Sequence, residues 1–181
     1  MGLEVSEDLV ALAYQSLGYF VIQGLRFGRR EVDLVGIQLG SEGTLKDRFH
    51  AEVQISVSPI GVLRGPKMAI GEANADPVRA AKDWFKHKFP SPDPDLERVL
   101  GGGGYRRILV HGKMVRGKEQ REALDGIGVE CVRIGDLIGD VSDAGKPGKA
   151  PNRIGPFERV VGIAKLLIAS GDVMSSPGGS T

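Results

Sequence analysis

Acidic and amide side chains recur at alternate positions in two short apolar runs, Glu31-Val32-Asp33-Leu34-Val35-Gly36 and His50-Ala51-Glu52-Val53-Gln54-Ile55. Side chains two apart on a strand share a face. Glu31 and Asp33 therefore point one way, and Glu52 and Gln54 likewise share a side. The intervening residues 40–47 (Gly-Ser-Glu-Gly-Thr-Leu-Lys-Asp) have turn composition. A hairpin there sets the two polar faces side by side. Carboxylates gathered on apolar strands are costly unless something pairs them, and a divalent cation held by oxygens is one general solution. The competing account makes the same acids ordinary salt-bridge partners.

The elements that must position these side chains can be read in order. Ser6 followed by Glu7 and Asp8 has the pattern of a helix start, a capping hydroxyl and then acids in the first turn. The helix runs to about Leu17 and stops at Gly18. Residues 19–25, 31–39 and 49–57 read as three strands. Residues 58–75, rich in Gly and Pro, read as a long loop. Asp76-Pro77 opens a helix with proline at its first position. It extends to about Lys88, with Val78, Ala81, Trp84 and Phe85 on its buried side. After the break at residues 90–94 and the connector Gly101 to Gly104 come a strand (105–111), a helix (119–124), a strand (129–134) and a short turn or helix at 136–138. The expected class is mixed α/β.

Length and charge bound the possibilities. The chain has 181 residues with 24 Lys plus Arg against 23 Asp plus Glu, a net charge of +1, so overall charge selects no partner. Locally, residues 64–88 carry six Lys or Arg against three acids, either a solvated surface or a phosphate-facing one. The single cysteine, Cys131, excludes an intrachain disulfide and is expected as a small buried group in a reducing, cytoplasmic setting. No stretch is long and apolar enough to span a membrane. The expected organisation is a core at 1–140, a linker at 141–155, a C-terminal helix at 156–170 and a disordered tail at 171–181. That last helix is a packing element or a homodimer contact.

The set of an acid near the start of the first helix, Asp33 on the second strand, and Glu52-Val53-Gln54 on the third resembles the PD-(D/E)xK nuclease superfamily, over roughly residues 6–138. The resemblance implies a restriction-endonuclease-like αβββαβ core, a mixed central sheet flanked by helices. It also implies a metal-dependent DNA endonuclease that hydrolyses phosphodiester bonds. By position, Asp33 and Glu52 match the family's metal ligands, Gln54 the third place of its tripeptide, and Glu7 the helix acid. The cofactor implied is Mg2+ or Mn2+, with the Val53 carbonyl as a further ligand. Val32 stands where the family name has Pro. Gln54 stands where Lys is usual, so it orients water by hydrogen bonds without supplying charge.

Lys82, Lys86 or Lys67 would then make up the missing cation, and Lys67, Arg79, Lys82 and Lys86 would hold the DNA backbone. The alternative is a catalytically inactive nucleic-acid-binding or scaffold protein. Glu7 can equally serve the helix dipole, and Glu31 reads as a solvated strand end. His50, His87 and His111 show no zinc spacing and are expected to be structural or exposed, with His50 close enough to the site to touch phosphate. Arg106-Arg107 reads as a solvated strand start or, alternatively, a DNA contact.

Overall fold

The structure, a computed structural model, describes residues 4–56 and 60–144. The elements are α1 (Glu4–Ser16), β1 (Phe20–Phe27), β2 (Arg30–Leu39), β3 (Leu45–Gln54), α2 (Ile70–Ala75), α3 (Pro77–Lys88), α4 (Pro94–Val99), β4 (Arg106–His111), α5 (Gly117–Asp125), β5 (Val129–Arg133) and α6 (Ile134–Ala144). The expected αβββαβ order is present. Five strands form one mixed sheet in the order β1-β2-β3-β4-β5. The first three are an antiparallel meander, and β4 and β5 add in parallel.

Alternation along the strands sorts the helices into two layers. Leu34, Phe49, Ala51, Val53, Ile108 and Val110 face α1 and α6, meeting Leu9, Val10, Ala13, Tyr14, Leu137 and Val141. Leu109, one position out of phase with Ile108, faces Ala81 and Trp84 of α3 and Leu124 of α5. The helices form because their apolar residues fall on one side: 9, 10, 13 and 14 in α1, and 77, 80, 81 and 84 in α3. Gly36 pairs with Phe49 across β2 and β3. A Cβ at Gly36 would lie 2.2 Å from the Phe49 ring, so the glycine is what lets the aromatic lie flat on its neighbour.

Some expected boundaries move. α1 is already helical at Glu4, so Ser6 sits inside the helix and is not its cap. β3 begins at Leu45, taking in residues expected as turn, and a short 3-10 turn at Ser41–Gly43 makes the link. The expected loop at 58–75 ends in α2, and α4 forms where the sequence pattern indicates only a break. Asp93 caps α4 through Leu96 N–H at 3.2 Å. Val78 is exposed, because it lies outside the 77–80–81–84 stripe that faces the sheet. Cys131 is half-buried, since β5 is an edge strand. α6 carries the chain through Ala144, so the first residues of the expected linker are helical. The rest of that linker, the expected helix at 156–170 and the tail lie outside the described residues. Among the described residues no helix is long and apolar enough to cross a membrane.

Candidate active site

The site forms where β2 and β3 part. Their register runs from Leu39↔Leu45 to Leu34↔Ala51, which sets Asp33 opposite Glu52 one step further on. The β1–β2 ladder also skips a step here, running to Gln23↔Leu34 and resuming at Leu25↔Val32, with Gly24 at φ +61°. That left-handed conformation is one glycine adopts without steric cost. At the gap the Asp33 carboxylate takes the Val53 backbone N–H, Oδ2 accepting at 2.8 Å.

Glu52 and His50 follow the same alternation onto the α3 side of β3, and both side chains are fully buried. His50 Nε2 and Glu52 Oε1 are 3.0 Å apart. The imidazole packs against Phe89, centroids 4.5 Å apart. Lys88, the last residue of α3, reaches back into this pair. Its ammonium is ion-paired with Glu52 Oε2 and stands 3.7 Å from Asp33 Oδ1. Apart from this ammonium, Glu52 Oε2 is a buried oxygen with no hydrogen-bond donor in bonding geometry.

Burial and mutual repulsion set the protonation. Asp33 is pushed up to about 6, chiefly by burial and then by the Glu52 charge, against the pull of Lys88 and the Val53 N–H. Burial also raises Glu52, with Lys88 opposing. For Lys88, burial works against the charge, but Glu52 and Asp33 outweigh it and hold the ammonium above its ordinary range. His50 is lowered to about 3 by burial, with Arg30 adding to the effect, so the imidazole is neutral. Glu7 is raised by partial burial and by Asp33, Glu31 and Glu52, which puts the start of α1 within electrostatic reach of the carboxylate pair.

A second ion pair braces the same corner. Arg30, three residues before Asp33, grips Asp93, five residues after Lys88, through both terminal guanidinium nitrogens, Nη2 at 2.7 Å from Oδ1. The forked geometry fixes direction as well as distance. It ties β2 to the segment leaving α3, holding the two elements that supply Asp33 and Lys88.

Of the residues singled out in the sequence, Asp33 and Glu52 come together. Gln54 lies at the end of β3, half-buried, its carbonyl accepting from Gly112 N–H at 3.1 Å. Among the described residues no group of three or more His, Cys, Asp or Glu side chains is disposed to hold a metal. Glu7 thus does not join Asp33 and Glu52 in one ligand cluster. Glu31 is exposed and paired with Arg26 at 3.0 Å, the solvated strand end expected of it. Lys67, Arg79, Lys82 and Lys86 are exposed and line one surface cleft. None of them fills the place opposite Glu52, because Arg79, Lys82 and Lys86 project from the outer side of α3.

His87 is exposed and His111 buried, the latter 2.7 Å through Nδ1 from the Gly112 carbonyl. His50 is too deeply buried to touch a phosphate. Arg106 bridges Asp47 and Glu130 at 2.6 Å each, and the Arg107 guanidinium lies over the Phe85 and Tyr105 rings, so neither is a merely solvated strand start.

Lys88 is the site residue that the sequence pattern does not single out by charge, yet a signal for it exists. The apolar stripe of α3 at 77, 81 and 84 continues at 88, so a lysine occupies a position that periodicity assigns to the interior.

The donor set suits a hard cation. The two carboxylates, Asp33 and Glu52, offer oxygen ligands, Glu52 Oε2 already facing an ammonium, and Mg2+ accepts few protein ligands while keeping several waters. The position between the carboxylates already attracts positive charge, in the form of Lys88.

No protein-family model and no curated protein sequence matches the chain. Among solved structures it is similar to the DNA modification-dependent restriction endonuclease AspBHI, at 17% identity and a TM-score of 0.40, over 93% of this chain and 36% of that one. The chain thus corresponds to little more than a third of that neighbour's length. A likeness of this degree assigns no activity; the site's own chemistry has to carry the function.

Proposed function

We propose that this chain is a metal-dependent nuclease of the PD-(D/E)xK type, in a Glu-x-Gln variant, hydrolysing phosphodiester bonds in DNA. The observation that carries the reading is the convergence of Asp33 Oδ1 and Glu52 Oε2 on one ammonium, Lys88 Nζ. A site built for structure alone has little reason to set a largely buried carboxylate, pushed up to about 6 first by burial and then by the Glu52 charge, beside a fully buried one. An acid strongly perturbed by burial and by a specific charge partner is a functional-site candidate.

In this reading Asp33, Glu52 and the Val53 carbonyl hold Mg2+ or Mn2+. When bound, the ion lowers the pKa of its water and neutralises charge on phosphate oxygens. Lys88, displaced from between the carboxylates when the ion binds, would supply the positive charge that Gln54 lacks: an ammonium beside the scissile phosphate stabilises the negative charge that grows on its oxygens. Gln54 orients the attacking water by hydrogen bonds from a side chain that carries no charge. Glu7 adds negative charge at the rim. The exposed cations Lys67, Arg79, Lys82 and Lys86 hold the DNA backbone, giving affinity without sequence information.

The test is cleavage of supercoiled, linear and branched DNA in Mg2+ or Mn2+, with EDTA, Asp33→Ala, Glu52→Ala and Lys88→Met as controls. Metal-dependent cutting lost in all three variants is expected. A folded wild-type chain that binds DNA but cuts none of these substrates would instead indicate a binding or scaffold protein.

A further inference from the structure

The two oxygens of Glu52 have different partners. Oε2 faces the Lys88 ammonium, and Oε1 lies 3.0 Å from His50 Nε2. The terminal torsion of a glutamate is broad and nearly two-fold, so nothing within the side chain fixes its carboxylate plane. A hydrogen bond to one oxygen does fix it, and His50 is the neighbour in place to make one.

The partners also assign the tautomer. An ionised carboxylate only accepts, so Nε2 carries the proton and donates to Oε1. His50 Nδ1 is buried with no hydrogen-bond partner, which is tolerable for a bare lone pair and costly for an N–H. The ring is held by Phe89 on one side, centroids 4.5 Å apart, and by Tyr105 further off at 6.4 Å.

We propose that His50 is a positioning residue for the metal site: as the Nε2–H tautomer it occupies Glu52 Oε1 and leaves Oε2 as the single oxygen offered to the cation. This rests on the metal-binding reading above. It goes beyond that reading by giving a role to a histidine that touches neither substrate nor metal. Hydrogen-bond partners of metal-binding side chains typically affect metal affinity by about 10- to 100-fold.

The experiment has two parts. Long-range proton–nitrogen NMR on the metal-free wild-type chain reads the His50 tautomer; a bare Nδ1 is expected, and a protonated Nδ1 overturns the assignment. Calorimetric titration with Mn2+ then compares wild type, His50→Leu and His50→Gln, with thermal unfolding measured alongside. Gln keeps an N–H donor near the Nε2 position, and Leu does not. Expected is a loss of Mn2+ affinity of about 10- to 100-fold in His50→Leu, largely restored in His50→Gln. Equal losses in both variants, or a His50→Leu chain that binds as tightly as wild type, overturn the role of His50 alone. A wild-type chain that binds no Mn2+ overturns the metal reading itself, and the positioning role with it.

Discussion

The backbone N–H of Val53 donates to Asp33 Oδ2 at 2.8 Å, so a side chain closes the gap where the β2 and β3 backbones cease to pair. Asp33 therefore has two separable jobs: Oδ2 completes the sheet and Oδ1 faces the cation. Asp33→Asn keeps an oxygen acceptor for Val53 and loses the charge; Asp33→Ala loses both. Both variants are expected to abolish metal-dependent cleavage. Urea unfolding should separate them, with Asp33→Ala less stable than Asp33→Asn by about 1–3 kcal/mol, the cost of a buried donor left without a partner. Equal stabilities would mean that Val53 finds another acceptor.

Lys88 neutralises a pair of carboxylates that burial would otherwise force apart or protonate. Lys88→Met removes the ammonium and leaves Glu52, fully buried, without its counter-charge. Breaking a buried pair from one side typically costs about 3–5 kcal/mol. In EDTA at pH 8 the variant should melt well below wild type. Mn2+ should raise its melting temperature more than it raises that of wild type, because the ion then enters a site with no competing ammonium. Equal responses to Mn2+ would show that Lys88 and the ion do not share a place.

The acidic half of this site is legible in the sequence because it is local: alternation on two strands joined by a turn is enough to set Asp33 beside Glu52. Lys88 lies 36 residues beyond Glu52 in the numbering, and its arrival depends on the length of α3 and on the angle at which α3 crosses the sheet. Lys82 and Lys86 are the natural candidates on charge alone, yet they sit on the face of α3 turned from the core. The clamp of Arg30 on Asp93 is hidden for the same reason, since no pattern of spacing links residues so far apart. The αβββαβ order is legible because each strand alternates and the meander is joined by turn residues. The helix α4 is not, because its six residues carry too little periodicity to stand out from a proline-rich break.

The outer side of α3 makes a different demand. Arg79, Lys82 and Lys86 fall at i, i+3 and i+7, a spacing that places them on one helical face, and Lys67 lines the same cleft. If this face holds the DNA backbone, Lys82→Glu with Lys86→Glu should weaken binding about equally for unrelated sequences. It should also lower the slope of log affinity against log salt by about one for each phosphate that is no longer neutralised. Fluorescence anisotropy on an Asp33→Asn background, which keeps the substrate intact, measures both. An unchanged slope would assign the DNA to another surface.

Asp33 and His50 make opposite contributions to stability as pH changes, and the metal-free chain should show both. Asp33 titrates at about 6 when folded, above its ordinary value of 3.8. Between those values the folded chain holds a proton that the unfolded chain has released, so this contribution is fully present below about 3.8 and is lost as pH rises through 6. Its size is on the order of 2–3 kcal/mol. His50 titrates at about 3 when folded, below its ordinary 6.5. Across that window the unfolded chain binds the extra proton, so stability from His50 is present above 6.5 and lost as pH falls towards 3. From about pH 4 to 6 the two slopes oppose each other, and wild-type stability in EDTA should vary little with pH from this pair. Asp33→Asn removes the falling contribution and exposes the rising one. The variant should gain stability steadily from about pH 4 to 6.5 and exceed wild type above about pH 6. Urea unfolding at half-unit pH steps reads this directly, and parallel curves for the two chains would show that Asp33 is not raised in the folded state.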